Sequence, residues 1–253
     1  PELIAYVEFP YVDILYRDSY YNYYSKRNAE FSRNSIRISF FKNIVELNSS
    51  DNNLNKDEFL GFITIRPTLP RRLGRNFINP KALLDKTQLF TLKCSSKTLI
   101  NGYKYNTLGY PHSSQDGNYY SCAEACLWSL AEYFGNRYSQ YSSILISDIL
   151  SMLKSRTSER QIPTDGLTNE QMSYVLRKLG FASKIFHKVV YKKDGNEFNE
   201  LINCYVESAI PVILIYDGKN EKHANIIIGY EKDEYIKSNI KLLDKPFNKK
   251  KSI

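Results

Sequence analysis

Two cysteines one helical turn apart lie in the stretch of the chain that is richest in possible chemistry. Cys122 follows Ser121, and Ser121 and Glu124 have the S-x-x-E spacing of a capping box. This spacing predicts that a helix begins with Cys122 as its first residue. The unpaired amides and the positive dipole end of a helix favour a thiolate over a thiol. The pattern therefore indicates Cys122 as a nucleophile and Cys126, one turn deeper, as a small core residue.

A nucleophilic thiol needs a base, and His223 has the best sequence context for that role. The apolar run 210–216 ends at a turn signal, and His223 opens the apolar run that follows. Two adjacent antiparallel strands would place His223 at a strand start, within reach of a helix N-terminus packed on the sheet. His112, in a predicted loop, is a second candidate for the base. His187 is expected on the surface of a strand.

Three blocks of the sequence resemble the bacteriocin-processing (C39-like) branch of the papain-like cysteine peptidases. The first is Cys-x-x-x-Cys-Leu followed by Tyr-Phe-Gly at 122–135, and the second runs through 165–180. The third is Pro-Val-Ile at 211–213 followed by His-x-x-x-x-x-Gly-Tyr at 223–230. The resemblance covers residues 108–246. It implies a cysteine peptidase that cleaves a peptide or protein by acyl transfer through a thioester, without a cofactor or a metal.

The resemblance also implies a catalytic set: Cys122 as nucleophile, His223 as general base, Gln115 as oxyanion-hole donor and Asp244 as the residue that orients the imidazole. The family's glutamine normally lies six residues before the cysteine, whereas Gln115 lies seven before it, so Asn118 is the alternative. Asp233 is the alternative to Asp244. Ala123 replaces the family's usual glycine after the nucleophile.

The cysteine and histidine alone leave the acceptor of the acyl group open. A papain-fold acyltransferase or amide hydrolase is therefore an alternative enzyme. A catalytically degenerate module that binds protein or nucleic acid is an alternative of another class.

Composition limits the partners without identifying them. The 253 residues carry a formal charge of +8 and include 21 tyrosines. A basic surface attracts nucleic acid, anionic membranes or acidic proteins, but a lysine-rich solvated surface explains the charge without nucleic acid. We expect a regulatory protein partner to bind through the basic, tyrosine-rich N-terminal half. With no signal peptide and no run of about 18 apolar residues, we expect no membrane span and a cytoplasmic location.

The predicted fold class is α+β, with two parts. Residues 1–105 are expected to form a smaller α+β region of unknown role. The resemblance implies that residues 106–253 form a papain-like domain, in which the helix bundle that carries the cysteine packs on an antiparallel sheet that carries the histidine. In the first part, the spacing of Ile14, Tyr21 and Tyr24 predicts a helix that packs its rings into a core. Alternation predicts a half-buried strand with Ile36, Ile38 and Phe40 on one face.

Other elements follow from turn residues and periodicity. Further strands are expected at 59–65 and 89–92, and residues 101–120 are expected to be an irregular connection. The second half is expected to contain helices at 121–134, 144–154, 168–179 and 198–208, and strands at 182–191, 211–216, 223–230 and 239–243. Thr168 and Gln171 have the spacing of a second capping box.

Overall fold

The structure, a computed structural model, is of mixed α+β class. It describes residues 3–42, 58–69, 71–82, 88–154, 166–191, 196–217 and 222–232. The predicted strand at 239–243 and the candidate residues Asp233 and Asp244 lie outside these ranges. Among the described residues, no helix is long and apolar enough to span a membrane.

Ten strands and five helices are formed by the described residues. The strands are β1 (Ile4–Tyr11), β2 (Ser35–Phe41), β3 (Phe59–Ile65), β4 (Leu73–Ile78), β5 (Gln88–Thr91), β6 (Cys94–Ile100), β7 (Tyr103–Ser113), β8 (Val212–Asp217), β9 (Lys222–Ile227) and β10 (Gly229–Lys232). The helices are α1 (Ile14–Asn22), α2 (Cys122–Arg137), α3 (Ile146–Leu153), α4 (Asn169–Lys178) and α5 (Asn196–Glu207).

The first half of the chain builds a curled antiparallel sheet. Its six strands are ordered β1-β2-β3-β4-β7-β6. Arg37 of β2 donates to the carbonyl of Leu99 in β6, at the far end of that order. The ring of Tyr105 in β7 lies 5.3 Å from Phe41 and 5.6 Å from Phe59, measured between ring centroids. The sheet therefore closes around an aromatic interior.

Strand β2 forms as predicted, but its more deeply buried face is the opposite one. Arg37 and Ser39 are buried, whereas Ile36 and Ile38 are only half-buried. The prediction was wrong about the face because it assumed that the apolar side would turn inward. Arg37 is instead accommodated inside the curled sheet by an ion pair with Glu8 of β1.

The irregular connection predicted at 101–120 is irregular only at 114–120. Tyr103–Ser113 form β7, which pairs with β6 through a two-residue hairpin loop in which Ile100 is in register with Tyr103. Asn101 and Gly102 form this loop with φ values of 47° and 83°. Positive φ at both positions is what a type I′ turn requires, and Asn-Gly is its preferred sequence. Asn101-Gly102 is therefore a local sequence signal for this hairpin.

Helix α1 forms where it was predicted, with a different buried face. Leu15 and Tyr16 are buried, while Ile14 and Tyr21 are exposed. Tyr24 is also buried, but it lies in a 3-10 turn after the helix has ended. The expected packing of tyrosine rings into a core therefore holds for some of the rings only.

The helices of the second half lie close to their predicted positions, and two strand predictions need correction. Residues 182–191 form no strand; they contain a 3-10 turn at Lys188–Val190, whose two valines are exposed. The strand predicted at 223–230 is two strands, β9 and β10. β9 pairs with β8, whereas β10 pairs with β5 from the first half. The backbone of β5 approaches so closely that a Cβ at Gly229 would lie 2.1 Å from the Phe90 carbonyl oxygen.

The two halves share their cores. One core cluster joins residues of α1 to α2, α3, α4 and β9, and the other joins the curled sheet to residues of α2, α5 and β10. The predicted boundary between residues 105 and 106 falls inside β7. The strand that begins in the first part thus leads directly into the loop before α2.

Candidate functional site

Cys122 is the first residue of α2, as the capping box predicted. Ser121 is the N-cap: its hydroxyl accepts from the amide of Ala123 at 3.3 Å, and its own amide donates to Glu124 Oε2 at 3.0 Å. The sulfur of Cys122 is therefore held beside the positive end of a 16-residue helix. Cys122 is partly exposed, and Cys126 is buried.

Strand β9 runs alongside the start of α2 and contacts both of its cysteines at one residue. The amide of Ala224 donates to Cys122 Sγ at 3.3 Å. The thiol of Cys126 donates to the carbonyl of the same Ala224 at 3.5 Å. Ala224 was not singled out from the sequence, and no local pattern identifies it because the contact joins residues about a hundred positions apart.

His223 immediately precedes Ala224 in β9. The nitrogen that donates to Cys122 Sγ is bonded to the carbonyl carbon of His223, so the sulfur lies within about 6 Å of the Cα of His223. The imidazole is partly buried and lies 5.9 Å from the ring of Tyr216, its partner in β8. The hairpin of β8 and β9 thus brings the backbone of His223 next to the thiol of Cys122, although β9 and α2 lie far apart in the sequence.

Gln115 lies in the loop that joins β7 to α2, and Asp116 organises that loop. Asp116 is buried, and its Oδ1 accepts from the amides of Asn118, Tyr119 and Tyr120 at 2.8–3.0 Å. Three amides on one carboxylate oxygen hold the turn closed in front of the helix. The side chains of Gln115 and Asn118 are both partly exposed.

A buried arginine from the first half fixes the same loop. Arg66 donates to the carbonyl of Gln115 at 3.3 Å and to the hydroxyl of Tyr120 at 2.6 Å. It also donates to the carbonyls of Arg71 and Leu73, at 3.0 and 2.6 Å. One guanidinium therefore ties two segments of the first half to the loop that carries Gln115. Arg66 is buried, which no local pattern in the sequence indicates.

The start of α4 completes the surroundings of the helix N-terminus. Gly166 has a φ of 97°, and a Cβ there would lie 3.3 Å from the hydroxyl of Ser121. Thr168 and Gln171 form the predicted capping box of α4. The pKa of Glu170 lies below its ordinary value, chiefly because its own backbone amide and the Thr168 side chain donate hydrogen bonds to it.

The other histidines lie elsewhere. His112 is near the end of β7, where its Nδ1 is 2.9 Å from the side-chain amide nitrogen of Asn76 in β4. His187 is exposed, as expected, but no strand forms there. Among the described residues, no group of three or more histidine, cysteine or acidic side chains is arranged to hold a metal ion.

The site therefore combines a thiol at a helix N-terminus, a histidine on an adjacent strand and a tightly bound loop before the helix. Cys126 has a different character from Cys122, since burial raises the pKa of its thiol to about 12 and keeps it protonated. Comparison with known proteins adds no assignment: no family model, no curated protein and no solved structure matches this chain.

Proposed function

We propose that this chain is a cysteine peptidase of the papain-like, C39-like kind, with Cys122 as nucleophile and His223 as general base. The observation that carries the proposal is the 3.3 Å hydrogen bond from the amide of Ala224, the residue after His223, to Cys122 Sγ. A thiol at a helix N-terminus beside a histidine is the arrangement that activates cysteine nucleophiles.

The proposed reaction is acyl transfer in two steps. His223 takes the thiol proton as Cys122 Sγ attacks the carbonyl carbon of the scissile amide. The C–N bond then breaks, His223 gives its proton to the leaving amine, and the acyl group remains on sulfur as a thioester. Water, deprotonated by His223, attacks the thioester and releases the acid and the free thiol.

The oxyanion formed in each step needs hydrogen-bond donors that are already in position. The amide of Cys122 is one of the first four of its helix, which have no partner within the helix. We propose this amide as one donor and the side-chain amide of Gln115 as the other, with Asn118 as the alternative. Asp244, or alternatively Asp233, is proposed to orient the imidazole.

The first half of the chain is proposed to regulate the peptidase or to select its substrates. Its support is the set of hydrogen bonds from Arg66 to the carbonyl of Gln115 and the hydroxyl of Tyr120. A partner that displaces Arg66 would alter the loop immediately before the nucleophile. The basic, tyrosine-rich surface is the proposed binding region for such a protein partner.

Labelling with an iodoacetamide-based thiol probe at pH 7 tests the nucleophile. The intact chain and Cys204→Ala, which removes an exposed thiol on α5, are expected to label rapidly. Cys122→Ala is expected to lose the rapid labelling. Equal labelling of the Cys122→Ala and Cys204→Ala variants would contradict the assignment of Cys122.

The base is tested by a pair of histidine variants. His223→Ala is expected to slow labelling of Cys122 at pH 7 by at least about tenfold, since it removes the group that ionises the thiol. His112→Ala, whose ring contacts Asn76 instead, is expected to label like the intact chain. Equal rates in all three proteins would remove His223 from the mechanism.

A further inference from the structure

The two thiols of α2 contact both main-chain polar groups of one residue in β9. Cys122 Sγ accepts from the amide of Ala224, and Cys126 Sγ donates to its carbonyl. In an extended strand, the N–H and C=O of one residue point to the same side, where a neighbouring strand normally pairs with both. Here the two sulfurs, one helical turn apart, take the place of that strand.

This arrangement uses the free edge of a two-stranded sheet. β9 pairs only with β8 among the described strands, with Ala224 opposite Ile215. Because both polar groups of Ala224 face α2, they are not bonded to Ile215. Ala224 is buried, so its carbonyl has no solvent to replace a lost partner.

The donor and acceptor roles of the two sulfurs are fixed by their surroundings. Burial raises the pKa of Cys126 to about 12, so this thiol keeps the proton that it donates to the carbonyl of Ala224. The sulfur of Cys122 accepts a hydrogen bond from the amide of Ala224. Because Cys122 is partly exposed, its sulfur also remains accessible to solvent. A hydrogen bond to an ionised acceptor is roughly twice as strong as one between neutral groups.

We propose that the Ala224 amide stabilises the thiolate of Cys122, and that Cys126 is the positioning residue that holds this amide in place through the Ala224 carbonyl. The proposal rests on the proposed function, in which Cys122 is the nucleophile. It gives the second cysteine of the helix a role in the reactivity of the first, without a redox step or a bond between the two sulfurs.

Charged and titratable groups lie on the helix and strand of this pair and on the adjoining segments, and the test must leave them unchanged. Glu124 lies on α2 itself, Lys222 and His223 on β9, Glu170 at the start of α4 and Asp116 on the loop before α2. Substitutions at Cys126 alter none of these charges. A change in the pH dependence of Cys122 reactivity therefore reports the hydrogen bond from the Ala224 amide to Cys122 Sγ.

The experiment measures the rate of alkylation of Cys122 by iodoacetamide from pH 5 to pH 10, in the full chain carrying Cys204→Ala to remove the exposed thiol. Cys126→Ala is expected to lower the rate at pH 7 by about three- to tenfold and to move the rise of the pH profile upward, because the amide is no longer held at the sulfur. Cys126→Ser keeps a donor and is expected to recover most of the rate.

Cys94→Ala is the matched control, since Cys94 is also a buried thiol but belongs to the other core cluster. It is expected to keep the rate within about twofold even if its thermal midpoint falls. An unchanged profile in folded Cys126→Ala, or the same change in Cys94→Ala, would overturn the proposal. Failure of the proposed function would look different: His223→Ala would then leave the profile unaltered.

Discussion

At the scale of single residues, the two cysteines of α2 differ in what surrounds them. Cys126 is packed among apolar side chains of one core cluster, and burial raises its pKa to about 12. Cys94, in the other cluster, has its pKa raised to about 12 by the same cause. Both thiols are therefore neutral core groups at physiological pH, and Cys122 is the partly exposed thiol of this helix.

The buried thiols predict a loss of stability in alkaline solution. An unfolded cysteine ionises near pH 8.5, whereas these two ionise at about pH 12 in the folded chain. Because the folded state then binds more protons, their contribution is complete below about pH 8.5 and is lost as the pH rises toward 12. We expect the free energy of unfolding, measured with urea at several pH values, to fall over this range.

A cysteine variant isolates that contribution. Cys94→Ala is expected to make the fall in the free energy of unfolding between pH 8.5 and pH 11 shallower. The slope against pH should change by at most about the amount that corresponds to one bound proton. Cys204→Ala is the control, since its thiol is exposed on α5. A slope for Cys94→Ala that equals that of the Cys204→Ala control would show that the buried thiol does not carry the effect.

At the scale of elements, the capping box of α2 both stabilises the helix and places Cys122, the proposed nucleophile, at its first position. Ser121→Ala removes the hydroxyl that accepts from Ala123, and is expected to lower the free energy of unfolding by about 1 kcal/mol. Because the first turn then frays, the alkylation rate of Cys122 is expected to fall as well. Urea unfolding and iodoacetamide kinetics measure the two effects.

The chain offers a matched cap for comparison. Thr168 caps α4 in the same way and accepts from Gln171 at 3.2 Å. Thr168→Ala is expected to cost a similar free energy of unfolding while leaving the alkylation rate of Cys122 within about twofold. If both variants slowed alkylation equally, the effect would come from general destabilisation and not from the first turn of α2.

Local signals predicted the elements better than their arrangement. The capping boxes at Ser121 and Thr168 depend on residues three positions apart, and both form as expected. The face of β2 was wrong because it depends on the ion pair between Arg37 and Glu8 across two strands. The contacts of Ala224 with α2 join distant parts of the chain, so the spacing of residues does not reveal them.

At the scale of the whole molecule, Arg66 connects the curled sheet to the candidate site. Arg66→Lys keeps the charge but loses the planar fork that serves several acceptors, and is expected to lower the free energy of unfolding by about 1–3 kcal/mol. Since the carbonyl of Gln115 is one of those acceptors, the alkylation rate of Cys122 is also expected to fall.

Arg37→Lys is the comparison, because Arg37 is a buried arginine of the same sheet that pairs with Glu8. It is expected to lower stability by a similar amount while the folded protein keeps the alkylation rate of Cys122. A normal rate in folded Arg66→Lys would show that the first half does not act on the site through this residue.

The shared cores predict that the second half does not fold alone. A fragment of residues 106–253 would begin inside β7, after the loss of β6 and β4, which flank that strand. It would also lose Leu15 and Tyr16, which pack in the core cluster of α2, and β5, which pairs with β10. We expect this fragment to lack a cooperative thermal transition and dispersed amide resonances, whereas the full chain has both. A fragment with both properties would show that the second half is an independent domain, and that the contacts with the first half serve only to regulate it.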